Sequence, residues 1–508
     1  MKKNYDFKNL FILDMANNHQ GDLQHGLNII NAMGEVVRKH GTKTALKFQF
    51  RELDTFIHPD YRQSSEPKHI QRFLSTRLDK KAFAEMTEAV RNAGMITMAT
   101  PFDEASVDML LDLDIEIIKV ASCSATDKPL LQKIARVNKP VVVSTGGLTL
   151  SQIDRIVSFF EQMSVDFGLM HCVAIYPTPN EKLNLNQIAL LRSRYPGVPV
   201  GWSTHESPKN IEIVQMAYAL GAQMFERHVG LNSGKYKVNA YSSVPEEVDQ
   251  WMAAFERAVE ACGSEYRKPV DREETESLRS LMRGVFAAKD IKKGDIIHRE
   301  DVFFAMPLLP DSLSSSEWSE KLVADKDYKT KEPLNAVVSK GETPEDDIIR
   351  QIVLQTKAML NDAKIFVGNP LSIEISHHYG LQRFREFGCV IIDCVNRQYC
   401  KKLIVLLPRQ KHPYHYHEKK EETFQLLYGD IEVELNGQRH KLMPGDTILV
   451  VAGVWHKFHT LDGCIFEEVS TTHYNDDSFY EDKAIAKLPR EKRKTQIASW
   501  FVSKNKVL

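Results

Sequence analysis

The sequence predicts an α/β barrel of the TIM type at the N-terminus, followed by a small β-rich module and a C-terminal all-β barrel. Over residues 1–265, eight short runs rich in Val, Ile, Phe and Met alternate with amphipathic segments long enough for helices. Each parallel strand needs a crossover helix to reach the next, so eight such units favour a TIM barrel. After a helical segment near residue 346, short strands follow one another to about residue 470.

The bounds of the barrel strands follow from these apolar runs. The segment after the first run, DLQHGLNIINAMGEVVRKHG, has apolar residues at helical spacing and ends on Gly41, a good helix terminator. The predicted strands span residues 11–16, 44–50, 95–101, 115–122, 140–146, 167–173, 198–205 and 222–228.

Polar side chains stand at the carboxyl ends of these strands. Caps and turns explain one or two of them, but not lysines and histidines that recur around a barrel. Active sites of TIM barrels are built at this end of the strands, so the sequence predicts a catalytic face there. The candidates are Asn18, His19, Lys47, Gln49, Thr100, Asp103, Lys119, Ser122, Ser144, Thr145, His171, Ser203, His205, Glu226 and His228.

The chain is too long for one core, and we expect three domains. The barrel is expected over residues 1–265, the β-rich module over 280–340 and the last domain over 346–508. A KKGD turn should join two strands of the module, and a helix should form over DDIIRQIVLQTKAML. The basic tail LPREKRKTQIASWF is predicted to be a surface helix, too short for a nucleic-acid role.

Composition excludes several classes of protein. The net charge of −2 provides no broad positive field for nucleic acid or anionic lipid. No stretch approaches the ~18 uninterrupted apolar residues of a membrane helix, and Asp14 interrupts any signal-peptide core. Seven scattered cysteines without a CxxC motif are typical of reduced thiols. We therefore expect a cytoplasmic protein with no nucleic-acid or membrane partner.

An ordered series of motifs follows the predicted strands. NNHQGD, ALKFQ, ATPFD, IIKVAS, STGG, HCVAIYPTP, GWSTH and ERH appear in that order, and AAKDIKKGDII follows in the module. Together they resemble the N-acetylneuraminate (sialic acid) synthase family over about residues 8–310, with a SAF (antifreeze-like) domain as the module. The resemblance implies condensation of phosphoenolpyruvate with an aldose to a 3-deoxy-2-ulosonic acid and phosphate, in a domain-swapped homodimer.

The resemblance also implies roles for individual residues. His205 and His228 match the family's metal ligands, and two imidazoles with open water positions suit Mn²⁺. Glu226 is a candidate base for the attacking water, with a strand-end salt bridge as the alternative, and Asp14 stands where the family usually has a glutamate. His228 thus counts as catalytic as well. Phosphate and carboxylate groups need cations and hydroxyl or amide donors. The implied substrate-binding residues are Lys47, Gln49, Thr100, Lys119, Ser122, Ser144, Tyr176, Ser203 and His228.

Several positions depart from the family pattern on the side of the N-acetylhexosamine. Residues 122–124 read SCS where the family has S-G-E, so the acid is lost. Met306 stands where an arginine from the partner subunit normally reaches the acetamido group. The same reaction on a sugar other than N-acetylmannosamine is therefore expected. The remaining departures are Ala174, Asn239 and Ala240.

A second site is indicated by the C-terminal residues themselves. His415 and His417 lie two apart on a predicted strand and so face the same side. With Glu422, Gly429 and His456 they form the H-x-H-x4-E-x6-G and downstream His pattern of cupins. Glu422 and His456 are expected to reach the ion from adjacent strands. Three imidazoles and a carboxylate favour Mn, Fe, Ni or Zn.

Within the cupins, ISHHYG, HYHEKKEETF and FEEVSTTHYNDDSFYED resemble the D-lyxose-isomerase-like group. This implies a sugar near the metal and ketose–aldose interconversion, which needs a base such as Lys420 or Glu468. A sugar-sensing or structural cupin is the alternative. For the whole chain, three hypotheses stay open: a synthase with a cupin that supplies or recognises its sugar, an isomerase cupin on a catalytically altered synthase scaffold, and a non-catalytic sensor. The retained lysines, serines and histidines favour the first.

Overall fold

Eight parallel strands close into a barrel in the first of the two units into which the chain divides, residues 1–268 and 269–508. Each strand pairs with the next in the sequence, and the last pairs back onto the first, with Asp14 opposite His228. The predicted TIM barrel is therefore confirmed. The strands are β1 (Leu10–Asp14), β2 (Thr44–Phe50), β3 (Ile96–Pro101), β4 (Ile117–Val120), β5 (Val141–Ser144), β6 (Phe167–Cys172), β7 (Val200–Thr204) and β8 (Met224–His228).

The computed structural model describes residues 5–63, 68–264, 269–320, 322–336, 345–368 and 372–497. No helix within these ranges is long and apolar enough to cross a membrane. All seven cysteines are among the described residues, and they are free thiols.

The first helix of the barrel shows how the sequence sets its bounds. The Asp22 carboxylate accepts a hydrogen bond from the backbone N–H of His25 at 3.2 Å and caps the start. Gly41, at φ 60°, ends the helix as predicted. The inner face of the helix packs Ile29 and Met33 into the barrel core. The helices of this unit are α1 (Leu23–His40), α2 (Leu53–Phe56), α3 (Lys68–Ser75), α4 (Lys80–Asn92), α5 (Glu104–Asp112), α6 (Lys128–Arg136), α7 (Leu150–Gln162), α8 (Asn186–Arg194), α9 (Glu212–Ala219) and α10 (Pro245–Cys262).

The second unit begins with a helix and a small β-module. The KKGD turn lies between Ile291, which bridges to Tyr328, and the strand that follows, so the turn joins two β-paired segments as predicted. Val285, Ile297 and Leu334 are fully buried in the core of the module. Its elements are α11 (Arg272–Ser280), β9 (Gly284–Ala287), β10 (Ile296–Ile297), β11 (Val302–Ala305) and β12 (Leu322–Val323), of which β9 pairs with β11 and β10 with β12.

The C-terminal region contains two antiparallel sheets, which confirms the all-β prediction. The predicted helix is present as α12 (Glu345–Asp362) and packs against the first sheet. Phe424, Phe458 and Phe466 form the centre of a second core. The strands are β13 (Ser372–Ser376), β14 (Cys389–Asn396), β15 (Tyr399–Leu406), β16 (His415–Tyr416), β17 (Glu422–Gly429), β18 (Ile431–Leu435), β19 (Gln438–Leu442), β20 (Thr447–Val450), β21 (His456–His459), β22 (Cys464–Thr471), β23 (Phe479–Tyr480) and β24 (Lys494–Ile497), with a short helix α13 (Lys483–Ala486). Their orders are β20-β17-β22-β15-β14-β13-β24 and β19-β18-β21-β16-β23.

The prediction of a surface helix in the basic tail is wrong for its described part. After one 3₁₀ turn, Lys494–Ile497 form β24, which pairs antiparallel with β13. Tertiary pairing overrides the local pattern here, because Glu374 of β13 forms an ion pair with Lys494 at 2.6 Å. Residues 498–501 of the predicted helix lie outside the described residues.

Candidate active site and metal centre

The carboxyl ends of the barrel strands surround a cavity of ≈ 530 Å³. It lies on the predicted catalytic face. The structure brings together there every barrel residue predicted as catalytic, substrate-binding or metal-binding. They are Asp14, Lys47, Gln49, Thr100, Lys119, Ser122, Ser144, Tyr176, Ser203, His205, Glu226 and His228.

Glu226 lies at the centre of a buried network of charges in this cavity. Its carboxylate contacts the ammonium groups of Lys47 and, at 2.9 Å, of Lys119. Lys47 also pairs with Asp14 at 3.0 Å, and Lys119 donates to Ser144 Oγ at 2.6 Å. The four charged side chains are at most 5% exposed. Two lysines thus face two carboxylates in a site with little access to water.

The ion pairs decide the protonation of this network. Burial alone would raise the pKa of Glu226, but Lys119 and Lys47 outweigh it and hold that pKa well below its ordinary value. Burial likewise opposes the charge on Lys47, yet Asp14 and Glu226 raise its pKa. For Lys119, burial prevails over the attraction of Glu226 and lowers the pKa. In this state Glu226 is therefore a weak base.

The two histidines predicted as metal ligands lie side by side, with ring centroids 5.3 Å apart. Nδ1 of His205 is 2.9 Å from the carbonyl oxygen of Val173, which places the proton on Nδ1 and leaves the lone pair of Nε2 free. Burial lowers the pKa of both imidazoles, that of His205 to about 4. Neutral imidazole is the form that binds a metal, so the pair fits a divalent ion.

Three imidazoles converge in the C-terminal region. The ligand nitrogens of His415, His417 and His456 lie within 4.8 Å of one another, and all three residues are buried. Each Nδ1 is hydrogen-bonded to a main-chain carbonyl oxygen, those of Pro413, Asp477 and Val454. Each Nε2 therefore keeps its lone pair for the space between the rings.

Glu422 joins this cluster from the other sheet. Its Oε2 lies 3.2 Å from Nε2 of His456, yet neither atom has a hydrogen-bond partner. Because the proton of His456 is on Nδ1, two lone pairs face each other, and a cation between them would stabilise both. These four side chains fit a divalent metal. Glu422 and His456 were expected on strands adjacent to that of His415 and His417. This is confirmed for His456, whose strand β21 pairs with β16 at His415. It is wrong for Glu422, which begins β17 in the seven-stranded sheet.

Comparisons with known proteins agree with both regions. The model of the NeuB family matches residues 37–267, and a cupin domain model matches residues 402–463. The uncharacterized protein MJ1065 of Methanocaldococcus jannaschii is 31% identical over 292 residues, which are 57% of this chain and 82% of that protein. The chain belongs to the NeuB family. The predicted relationship to sialic acid synthases and the predicted cupin are confirmed.

Two further relatives of this NeuB-family chain are informative. The N,N'-diacetyllegionaminic acid synthase of Campylobacter jejuni is 27% identical over 339 residues, which are 64% of this chain and 98% of that protein. A crystal structure from Chromobacterium violaceum, named after spore coat polysaccharide biosynthesis protein E, is 42% identical with a TM-score of 0.64. It covers 66% of this chain and 100% of its own.

Sequence reasoning missed several side chains of the NeuB-family cavity, of which Arg51 is the best defined. Its guanidinium lies 3.5 Å from the ring centroid of Phe102 and 4.0 Å from that of Phe73. It also donates to Gln49 Oε1 at 3.2 Å. Arg51 directly follows β2, so extending the strand-end argument by one residue would have found it. The other missed residues that line the cavity include Asn17, His69, Arg72, Cys172 and Tyr241.

Some strand-end candidates serve the fold of the NeuB-family barrel instead. Asp103 caps α5 by accepting from the backbone N–H of Ser106 at 2.7 Å. Thr145 donates to the carbonyl oxygen of Met170 at 3.1 Å, and Nε2 of His171 lies 2.9 Å from that of Leu183. These three side chains are not among the described residues that line the cavity.

Lys420 and Glu468, the candidate bases of the cupin, lie beside its histidines. The Lys420 ammonium contacts the carboxylates of both Glu422 and Glu468, and all three side chains are buried. Burial opposes this charge, but the two carboxylates raise the pKa of Lys420. Lys420 is thus protonated in this state and is not a base. The cavity at this site measures only ≈ 50 Å³.

Proposed function

We propose that the barrel condenses phosphoenolpyruvate with an aldose to give a 3-deoxy-2-ulosonic acid and phosphate. The observation that carries this proposal is the buried pair Lys47 and Lys119 beside two neutral histidines in one cavity. Phosphoenolpyruvate has two anionic groups, and two lysines with nearby hydroxyls suit them. The name of the Campylobacter relative, an N,N'-diacetyllegionaminic acid synthase, supports the same class of reaction.

The side chains of the cavity have a proposed role in substrate binding and in each step of the reaction. Lys47 and Lys119 bind the anionic groups of phosphoenolpyruvate, with Thr100, whose buried Oγ1 has no hydrogen-bond partner, as a further donor. C3 of phosphoenolpyruvate forms a bond to the aldehyde carbon of the sugar. Water then adds at C2, and a proton passes to the former aldehyde oxygen, which becomes a hydroxyl group. The C2–O bond to phosphate breaks as the hydroxyl group at C2 loses its proton and becomes the ketone. The side chains that bind both substrates hold the reacting carbons next to each other, and this lowers the activation barrier of the condensation.

Glu226 is the proposed base for the attacking water. While it holds both lysines it is a weak base, as its lowered pKa requires. A bound anion shares the charge of Lys47 and Lys119, so the carboxylate regains basicity when substrate is present. Asp14, 3.5 Å from Nε2 of His228, orients that ring. Binding of phosphoenolpyruvate thus makes Glu226 a stronger base.

His205 and His228 are the proposed ligands of a divalent metal, for which Mn²⁺ is suited. Such an ion, when bound, supplies Lewis-acid polarisation of a carbonyl and activation of water. The protein holds the ligand lone pair of His205 in place through the carbonyl oxygen of Val173. This hydrogen bond fixes the tautomer before any metal arrives.

The proposed acceptor is an aldose other than N-acetylmannosamine. Ala174 and Asn239 line the cavity and depart from the acetamido-sugar pattern. Ser124, which stands where the family has its acid, and Ala240 also depart but are not among the described residues that line the cavity. Met306, 56% exposed, departs as well and would reach the partner's cavity in the proposed domain-swapped homodimer. Groups that hydrogen-bond a substrate contribute about 1–3 kcal/mol each, so their loss changes specificity. A higher kcat/KM for N-acetylmannosamine than for every other aldose tested would contradict this proposal.

The cupin is proposed to bind a Mn, Fe, Ni or Zn ion through His415, His417, Glu422 and His456, and to bind a sugar beside it. Ketose–aldose isomerisation is the second candidate function, favoured by the position of Glu468 next to this cluster. Full-length protein incubated with a ketose in deuterated water tests it. Deuterium at C2 of the aldose supports a proton-transferring isomerase, whereas no turnover of any pentulose or hexulose by the metal-loaded protein contradicts isomerisation.

Phosphate release from phosphoenolpyruvate, measured over a panel of aldoses with Mn²⁺, tests the main proposal. We expect release that depends on the aldose and is lost in Lys119→Met. Lys80→Met is the matched control, because Lys80 is an exposed lysine of α4, paired with Asp112. If no aldose stimulates phosphate release in folded, Mn²⁺-supplied protein, the synthase proposal fails and the scaffold hypothesis is the better one.

A further inference from the structure

The cupin cavity contains two lysines that the metal cluster does not use. Lys402 and Lys494 line the cavity together with Lys420. Nζ of Lys402 lies 3.8 Å from Glu468, which Lys420 already contacts. Lys494 reaches the cavity from β24 and pairs with Glu374, which is not among the described residues that line it. The cations therefore outnumber the carboxylates at the cavity wall.

His473 shows that these cations converge on one side of the cavity. Its Nδ1 is buried and has no hydrogen-bond partner. Burial, followed by the charges of Lys402, Lys420, Lys494 and Arg490, lowers the pKa of His473 to about 2. Lys402, Lys420 and Lys494 line the same cavity as this imidazole, so this side of the cavity has a positive potential.

Metal binding would increase this imbalance. The described carboxylates that line the cavity are Glu422 and Glu468. Once Glu422 is a metal ligand, Lys420 retains Glu468 alone, and Lys402 has to share that carboxylate. Buried charges without partners are costly, so the metal-loaded cavity favours a ligand that brings a negative charge.

We propose that the cupin cavity binds the carboxylate of a hydroxy or oxo acid, held between the metal cluster and the lysines Lys402 and Lys494. The inference rests on the proposed metal site. A carboxylate with a neighbouring oxygen can ligate the metal and pair with a lysine, and a group of this size suits a cavity of ≈ 50 Å³. The proposed product of the barrel is itself a 2-oxo acid, so the cupin ligand belongs to the same chemical class.

The test uses the visible absorption of Co²⁺ in the full-length protein with His205→Ala and His228→Ala, so that the cupin supplies the spectrum. Glycolate is titrated against ethylene glycol, which has the same two-carbon skeleton without the carboxylate. We expect glycolate to shift the spectrum at a concentration at least tenfold lower. Equal midpoints for the two compounds would overturn the inference, as would inorganic phosphate acting at a lower concentration than glycolate.

Lysine variants locate the anion. Lys402→Gln and Lys494→Gln should each raise the glycolate midpoint about tenfold or more, while Lys402→Arg keeps the charge and the affinity. Lys457→Gln is the control, because Lys457 is an exposed lysine of β21 that pairs with Glu434. Unchanged midpoints in both glutamine variants refute the proposal. Circular dichroism excludes misfolding, and Lys494→Gln alone decides if Lys402→Gln does not fold.

Failure of the metal site is distinguishable from failure of the anion site. If no Co²⁺ spectrum develops, or if it survives His456→Ala, the proposed cupin metal site is wrong. If the spectrum develops and depends on His456 but does not change when glycolate is added, the metal site is supported and the proposed anion site is wrong. The barrel proposal is unaffected by either result, since phosphate release measures it separately.

Discussion

The barrel and the cupin contain the same side-chain types in cavities of very different size. Both place lysines against buried carboxylates beside histidines, but the barrel cavity measures ≈ 530 Å³ and the cupin cavity ≈ 50 Å³. The larger cavity can admit two substrates and bring them together. The smaller one has room for an ion and one functional group of a ligand. Residue types indicate a chemistry, and the space around them decides the size of what can react.

The two regions also differ in the number of proposed metal ligands whose positions are fixed in advance. His205 and the three cupin histidines all use a main-chain carbonyl oxygen to fix the tautomer. The cupin adds Glu422, whereas the barrel relies on two imidazoles. We therefore expect an exchangeable ion in the barrel and a retained ion in the cupin.

The largest expected effect separates the two regions completely. His205→Ala and His228→Ala should each lower aldose-dependent phosphate release about 10³-fold or more. The proposed metal would lose a ligand and would no longer polarise the aldehyde carbonyl. Metal analysis should show the cupin ion unchanged. His456→Ala should remove the cupin ion and leave phosphate release unchanged. Near-normal turnover of His205→Ala with Mn²⁺ would remove the barrel assignment.

Lys119→Met tests whether the charge network of the barrel destabilises the fold once it loses a cation. Glu226 would then depend on Lys47 alone, and breaking a buried ion pair costs about 3–5 kcal/mol. We expect the free energy of unfolding to fall by that order in urea titrations. Adding Glu226→Gln should restore a large part of it. A double variant less stable than Lys119→Met would contradict the network.

Acid should weaken the barrel through a histidine that binds no metal. Burial lowers the pKa of His19 to about 4, with a smaller effect from His25, against about 6.5 when unfolded. Between these values the unfolded chain binds more protons, so the stability present above pH 6.5 is lost as the pH falls. The loss should approach about 3 kcal/mol. His19→Gln should flatten this dependence in urea titrations at several pH values, and the exposed control His58→Gln should leave it unchanged.

The smallest expected effect concerns metal retention. At a given EDTA concentration the barrel should lose its ion first, with an apparent affinity at least about tenfold weaker than that of the cupin, or about 1.4 kcal/mol. Phosphate release should stop while the cupin metal remains bound, and added Mn²⁺ should restore it. Simultaneous loss of both ions would show that the number of preformed ligands does not separate the two regions.

The sequence predicted which side chains meet at the rim of the barrel, for a definite physical reason. In a parallel barrel every strand ends at the same rim, so Lys47, Ser144 and His228 had to meet once the strands were recognised. The geometry of the network was not predictable, because the position of Glu226 between two lysines depends on distances across the barrel. Arg51 was missed because it stands one residue past its strand.

The cupin was harder to predict because its cavity takes side chains from both sheets. The histidine pattern is local in the sequence and was recognised. Lys402 and Lys494 come from β15 and β24, and nothing in their neighbourhood marks them as cavity residues. The tail that contains Lys494 was expected to be helical, so its pairing with β13 could not be anticipated from local propensity.

The pairing of β1 with β8 has a consequence for synthesis of the chain. Nδ2 of Asn18 donates to the carbonyl oxygen of Val229, 211 residues later. At about 5–20 residues per second, the ribosome takes roughly 10–40 s to make the chain between these two groups. During that interval β2 can already pair with one edge of β1, but the edge that later pairs with β8 has no partner from its own barrel, and such an edge can pair with another nascent chain. A chaperone that covers the growing sheet until β8 emerges would therefore raise the yield of closed barrel.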